Sequence, residues 1–296
     1  MRKRWLALPV AVLLVFVSFT GCSMEDTGGS PGVPTPPELP SISTMTMNTS
    51  LFQSSEVDTE TLALSGYGQA GAMLGLGSKL NFFNAATRVL FLDLVILVGA
   101  VQPVAAFALA GQSIPQPQGD GSWLWTYIFV DQEGEHSIFL YGKNMGTYTE
   151  WRMEVSSTEA PAPTDHFLWF EGEVQQDQCS GYWQFYRPVE ELAAGATDML
   201  ASPGIQCIRI DWEHREGDEQ ELAFLLNEPG APWEGSTLIF SETPAVSSVD
   251  FFDSSISDGG VITWYPDCSG SIEWFDYRDG EKQCWDSLHD DTVCPE

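Results

Sequence analysis

The stretch that decides the fold is residues 79–110, KLNFFNAATRVLFLDLVILVGAVQPVAAFALA, read against the aromatic run that follows at 123–130, WLWTYIFV. At about 100° per residue, Asn81, Asn84, Thr87, Arg88 and Gln102 fall on one stripe, while nearly every other side chain between Lys79 and Val101 is apolar. Such a helix must be covered on most of its surface. Pro103 is expected to kink or end it, with a second short helix running on to Ala110. A bilayer could cover 94–110, but that run is at the lower length limit for a span and is broken by Gln102 and Pro103. A sheet from the same chain explains the same apolarity.

After Gly119 the composition changes class, from Ala, Leu, Val and Gly to short aromatic and β-branched runs separated by turns. Strands are expected over 123–130, 136–141, 148–155, 167–174, 181–187, 205–213, 221–227, 236–241, 248–252, 261–265 and 271–277. Turns such as Asp131-Gln132-Glu133-Gly134 and Arg278-Asp279-Gly280 are hairpin-sized, so neighbours are antiparallel. In the first strand Trp123, Trp125, Tyr127 and Phe129 share one face and Leu124, Ile128 and Val130 the other, so both faces are largely covered. In the third, Trp151, Met153 and Val155 alternate with Glu150, Arg152 and Glu154, so one face meets water. The expected fold is mainly β with N-terminal helices. It is a curved antiparallel meander of about eleven strands, a barrel or half-barrel packed on an apolar helix, because twist accumulates across so many strands. Residues 61–111, the helical segment, and 112–296, the meander, are expected to form one domain.

Upstream, Arg2, Lys3 and Arg4 precede an apolar run from Trp5 to Phe19 and then Phe19-Thr20-Gly21-Cys22. The run is short for a membrane span and suited to an export signal. This stretch resembles the lipobox of bacterial lipoprotein signal peptides. The resemblance implies removal of residues 1–21, diacylation of Cys22, and, from Ser23 after the cysteine, sorting to the outer membrane. Residues 22–60, with Pro31, Pro34, Pro36, Pro37, Pro40 and a Ser/Thr/Met run, read as a lipidated tether that at full extension reaches on the order of 100 Å. The order of helix then meander is also similar, in pattern only, to the lipoprotein-localisation carriers, half-barrels that shelter acyl chains.

The chain carries 42 Asp+Glu against 12 Lys+Arg, a formal charge of −30, with 43% hydrophobic residues. This describes a packed body with an acidic skin. Nucleic acid is excluded as a partner, since beyond Arg4 no two basic residues are adjacent. An acidic surface is also repelled by anionic headgroups, so the membrane contact is expected to come from the N-terminal lipid. With Cys22 set aside, Cys179, Cys207, Cys268, Cys284 and Cys294 leave an odd count in an oxidising compartment, and Cys284 with Cys294 is the expected disulfide. No close Cys/His set suggests a metal, and no cofactor is expected.

Gly66-Tyr67-Gly68-Gln69-Ala70-Gly71 spells a dinucleotide fingerprint but lacks the alternating strands and helices that motif requires. His136, His166, His214 and His289 lie in no nucleophile motif, and His214 reads as part of a solvated turn. The acidic turn 253–259 lacks calcium-loop spacing. Residues 179–187 weakly echo 268–278, each a turn feeding an aromatic strand. Asp93 falls on the apolar side of its helix, where it must bond to a neighbour or face a cavity. Every tryptophan but Trp5 of the 11 lies after residue 120. Most should be core. If some line an open concave face, then Asp93, Trp125, Trp151, Trp169 and Trp183 are the candidate ligand-binding residues. The first functional expectation is therefore a non-enzymatic, outer-membrane-anchored carrier or binder of a hydrophobic small molecule or lipid. The alternatives are a structural or surface-interaction lipoprotein with a filled core, and a glycan-binding module.

Overall fold

The computed structural model describes residues 35–54, 78–130, 134–158, 164–187 and 204–295. Cys22, the cleavage region, residues 23–34 of the tether and the 66–71 glycine motif lie outside them.

Among the described residues, fourteen strands follow one another in a single antiparallel sheet whose spatial order is the order of the sequence. They are β1 (Gln116–Pro117), β2 (Trp123–Val130), β3 (Glu135–Asn144), β4 (Tyr148–Ser157), β5 (Thr164–Gln175), β6 (Ser180–Arg187) and β7 (Ile205–Arg215), then β8 (Glu219–Leu226), β9 (Ser236–Glu242), β10 (Ser247–Asp253), β11 (Asp258–Trp264), β12 (Gly270–Trp274), β13 (Gln283–Trp285) and β14 (Asp291–Thr292). β1 and β14 do not pair, so the sheet is open rather than a closed barrel. Both edges are two-residue strands, which present little unpaired backbone for edge-to-edge association. The count exceeds the expected eleven because β1, β13 and β14 are too short to show a period of two.

Among the described residues, two α-helices precede the sheet, α1 (Ser50–Ser54) and α2 (Leu80–Ala110). The expected break is absent. α2 is one helix of 31 residues that runs through a buried Pro103, losing one backbone bond rather than ending. It touches β2 and β3 near one end of the meander, β6 and β7 in its middle, and β12, β13 and β14 at the far end. The sheet therefore curves around the helix. Among the described residues no helix is long and apolar enough to cross a membrane.

Two members of the polar stripe of α2, Asn81 and Arg88, are buried against the C-terminal strands, whereas Asn84 and Thr87 are half-buried and Gln102 is exposed. Asn81 is 3% exposed, donates from Nδ2 to Cys284 O at 2.8 Å and accepts from Tyr277 Oη at 2.7 Å. Arg88, 8% exposed, ion-pairs with Asp276 at 2.5 Å and lies 5.6 Å from the ring centres of both Trp274 and Tyr277. The first turn of the helix is capped from a distance. The Asn81 N–H donates to Asp291 Oδ1 at 2.9 Å, a carboxylate placed where the helix dipole favours it.

Residues 35–54, read from composition as the second half of the tether, lie inside the fold as a strap. Thr44, Met45, Met47, Thr49 and Phe52 are buried. Leu39 abuts Gly111 at the end of α2, Trp183 of β6 donates its Nε1–H to Thr44 Oγ1 at 3.0 Å, and Phe52 packs 5.0 Å from Trp264 of β11 and 5.8 Å from Phe82 of α2. The strap thus runs from the C-terminal to the N-terminal end of the helix along the inner face of the sheet. Its burial comes from thinly spaced Met and Phe side chains, which have no period to notice.

A second packing rule sets how closely the sheet follows its contents. Direct register partners in adjacent strands join a glycine to a tryptophan eight times, and in five of these the ring lies against the glycine: Gly142 with Trp151, Gly172 with Trp183, Gly181 with Trp212, Gly260 with Trp274 and Gly270 with Trp285. In each pair the indole lies where a glycine side chain would project; a Cβ on Gly181, for example, would stand 2.9 Å from Trp212 Cζ2. The indole covers the neighbouring backbone, and the bare glycine lets the sheet bend inward there.

Candidate functional site

The inner face of the sheet is where a ligand site was expected, and at the candidate tryptophans of β2, β4 and β6 it is filled. Trp125, Trp151 and Trp183 are buried, at 3%, 2% and 0% exposure. Their rings gather around Phe107 of α2, whose ring centre lies 6.4 Å from Trp151, 6.0 Å from Phe170 and 6.3 Å from Trp183, while Trp125 lies 5.6 Å from Trp151. These three candidate binding residues are thus brought together as core. Trp169 is half-buried at the irregularity between β4 and β5 and packs at the margin of the core.

Asp93 is apart from the tryptophans. It is half-buried on α2 and accepts a long bond, 3.5 Å, from Thr49 Oγ1 of the strap. Burial pushes its carboxyl up to about 6, against the smaller lowering effect of that bond. Its partner belongs to the strap, not to the sheet.

The best-defined apolar hollow lies between the middle of α2 and β7–β8. It holds about 230 Å³ and is lined by Phe91, Leu94, Val95, Cys207, Leu226 and Trp233 among others. This is below the roughly 300–1,000 Å³ usual for small-molecule sites. Glu228 borders it and pairs with Arg187 at 2.7 Å. Burial, then the Glu228 charge, pushes the Cys207 thiol up to about 11, so this buried sulfur is a poor nucleophile.

Cys284 and Cys294 form the expected disulfide, and Cys207 and Cys268 are free thiols. No group of three or more potential metal ligands gathers among the described residues. The acidic turn at 253–259 is closed by its own serine, Ser255 donating to Asp253 Oδ1 from backbone N at 2.9 Å and from Oγ at 2.6 Å.

The histidines are used in packing. His136 stacks on Phe129 at 4.7 Å, His166 on Phe139 at 4.6 Å and His289 on Phe82 at 3.8 Å. His166 Nδ1 also lies 2.7 Å from Glu154 Oε2, and Arg152 pairs with the same carboxylate. Glu154 is only 6% exposed, although its strand pattern placed it toward water; the covering ring comes from a residue twelve positions on, which the period of β4 does not encode. His214 departs from the solvated-turn reading as well. It is half-buried on the inner side of β7, its ring 5.3 Å from Trp212.

No family model, curated protein or solved structure matches this chain.

Proposed function

We propose that the protein is a bacterial outer-membrane lipoprotein, anchored through acyl chains on Cys22, whose folded body is a non-enzymatic structural or surface-interaction module. We read the open sheet as a half-barrel. The observation that carries the functional reading is the filled concave face. A carrier of acyl chains needs an empty trough, and here Phe107, Trp151, Trp183 and Met45 occupy that volume at 3% exposure or less. The pattern shared with half-barrel carriers therefore extends to the order of elements, and the ligand space is taken by α2 and the strap. The lipobox supports the anchor, and the strongly acidic body supports an attachment made by lipid rather than by charge.

A second reading, a binder of one small hydrophobic molecule, is supported by the hollow beside Val95 and Trp233. Purification under native conditions followed by lipid mass spectrometry separates the two. A filled core gives no stoichiometric lipid beyond the acyl groups on Cys22, whereas a retained hydrophobic molecule at one per chain overturns it in favour of the binder. Incorporation of labelled palmitate, lost on Cys22→Ser, tests the anchor separately.

A further inference from the structure

The outer face of the sheet divides into two halves of different chemistry. On β4–β7 its charges are matched within the face. Arg152 pairs with Glu154, Arg209 with Asp211 through two bonds of 2.6 and 2.8 Å, and Arg215 with Glu213 at 2.9 Å. Tyr186 and Tyr182 donate to Glu171 at 2.6 Å and to Glu173 at 3.2 Å. From β8 to β12 no strand carries a Lys or Arg. One register row there runs Ala223, Ile239, Asp250, Val261, Glu273, with Phe252 beside it on β10. Ile239, Phe252 and Val261 are exposed, at 40%, 45% and 39%. At about 4.8 Å per strand the row spans about 20 Å.

The last three members of the row line a shallow groove of about 440 Å³. Its floor includes the bare backbone of Gly259, the register partner of Phe252, and its sides carry Asp258 and Asp279 besides Asp250 and Glu273. No basic residue lines it. Among the described residues neither Asp250 nor Glu273 has an ion-pair partner. Arg278, the first basic residue after β12, lies over the Tyr277 ring instead, 5.9 Å from its centre.

Charge selects the occupant of this face. A second copy laid against it would set Asp250 and Glu273 of both chains together and add one body of formal charge −30 to another. A neutral partner would take both carboxylates out of water with nothing to pair them. A segment that carries Lys or Arg beside apolar side chains covers the patch and supplies the missing partners. We propose that the outer face of β8–β12 docks a basic amphipathic segment of another polypeptide. Its apolar side chains lie over Ile239, Phe252 and Val261, and its cations meet Asp250 and Glu273. This rests on the surface-interaction reading and names the chemistry of the partner.

Fluorescence anisotropy with the full chain at about 0.15 M salt tests this. The probe is a labelled peptide of about 14 residues in which Leu and Lys follow the helical period. It should bind saturably, and Asp250→Asn with Glu273→Gln should weaken it about tenfold. Ile239→Ser with Val261→Ser should weaken it about as much. Glu216→Gln with Asp218→Asn, two exposed acids of the β7–β8 turn, should change the affinity less than about twofold, because that turn lies more than a screening length from the groove. No saturable binding, or equal weakening by the turn variant, overturns the proposal. Concentration-dependent dimerisation of the wild type that Val261→Lys abolishes also overturns it and makes the occupant a second copy. The underlying reading fails separately, on lipid retained through native purification, whether or not the peptide binds.

Discussion

Trp183 lies directly across the sheet register from Gly172, and its indole N–H reaches over to Thr44 of the strap at 3.0 Å. One side chain thereby covers a bare stretch of its neighbouring strand, fills the trough and ties down the segment beneath it. The same glycine–tryptophan pairing recurs along the meander, which is how a sheet with so many indoles leaves so few of them exposed.

A side chain at Gly172 should be costly. Its Cβ would stand 2.5 Å from Trp183 Cε3, in a region with no room to yield. Gly172→Val is expected to lose at least about 2 kcal/mol in urea unfolding by overpacking. Gly119→Ala, with nothing within 4 Å, should change stability by no more than about 0.5 kcal/mol.

Asp93 gives a stability change of defined sign with pH. Its carboxyl is raised from 3.8 to about 6, so ionisation is disfavoured in the fold. The penalty is fully present above about pH 6 and is relieved as pH falls toward 4. Asp93→Asn should therefore stabilise the protein by on the order of 2 kcal/mol near neutral pH and by almost nothing near pH 4, as read from urea midpoints.

Arg88 stabilises through its flat guanidinium as well as its charge, since it lies against Trp274 and Tyr277 while pairing with Asp276. Arg88→Met should cost about 2–3 kcal/mol. Arg88→Lys keeps the charge and loses the fork and the stacking, so it should recover less than half of that loss in thermal unfolding.

The Cys284–Cys294 bridge closes a short loop around β13 and β14, the strands that also hold the N-terminal end of α2. Replacing both cysteines by serine should lower stability by about 2–3 kcal/mol, as read from urea midpoints.

The elements with a clear period were legible in the sequence. Trp151, Met153 and Val155 alternate as an inward face, and the apolar run from Leu80 to Ala110 announced a covered helix. The bridge of Cys284 to Cys294 was suggested by their closeness in a polar tail. What was hidden depends on distant partners. Asn81 and Arg88 looked like a polar stripe of α2, and only Cys284, Asp276 and Tyr277, nearly two hundred positions away, make their burial affordable. The strap was masked by its own Pro, Ser and Thr content, because Met45, Met47 and Phe52 bury by position rather than by repeat. Candidate binding residues Trp125, Trp151 and Trp183 could not be told from core until Phe107 was seen among them. The glycine–tryptophan pairs are a property of strand register, which no single strand displays.

The central claim is that sheet, strap and α2 fold as one body with the helix as its filling. Equilibrium urea unfolding should be followed in parallel by tryptophan fluorescence, which reports the sheet, and by hydrogen exchange of residues 80–110. One shared midpoint, with α2 protected to the level of the central strands, is the predicted result. A helix that loses protection at lower urea while the tryptophans remain buried would contradict the account.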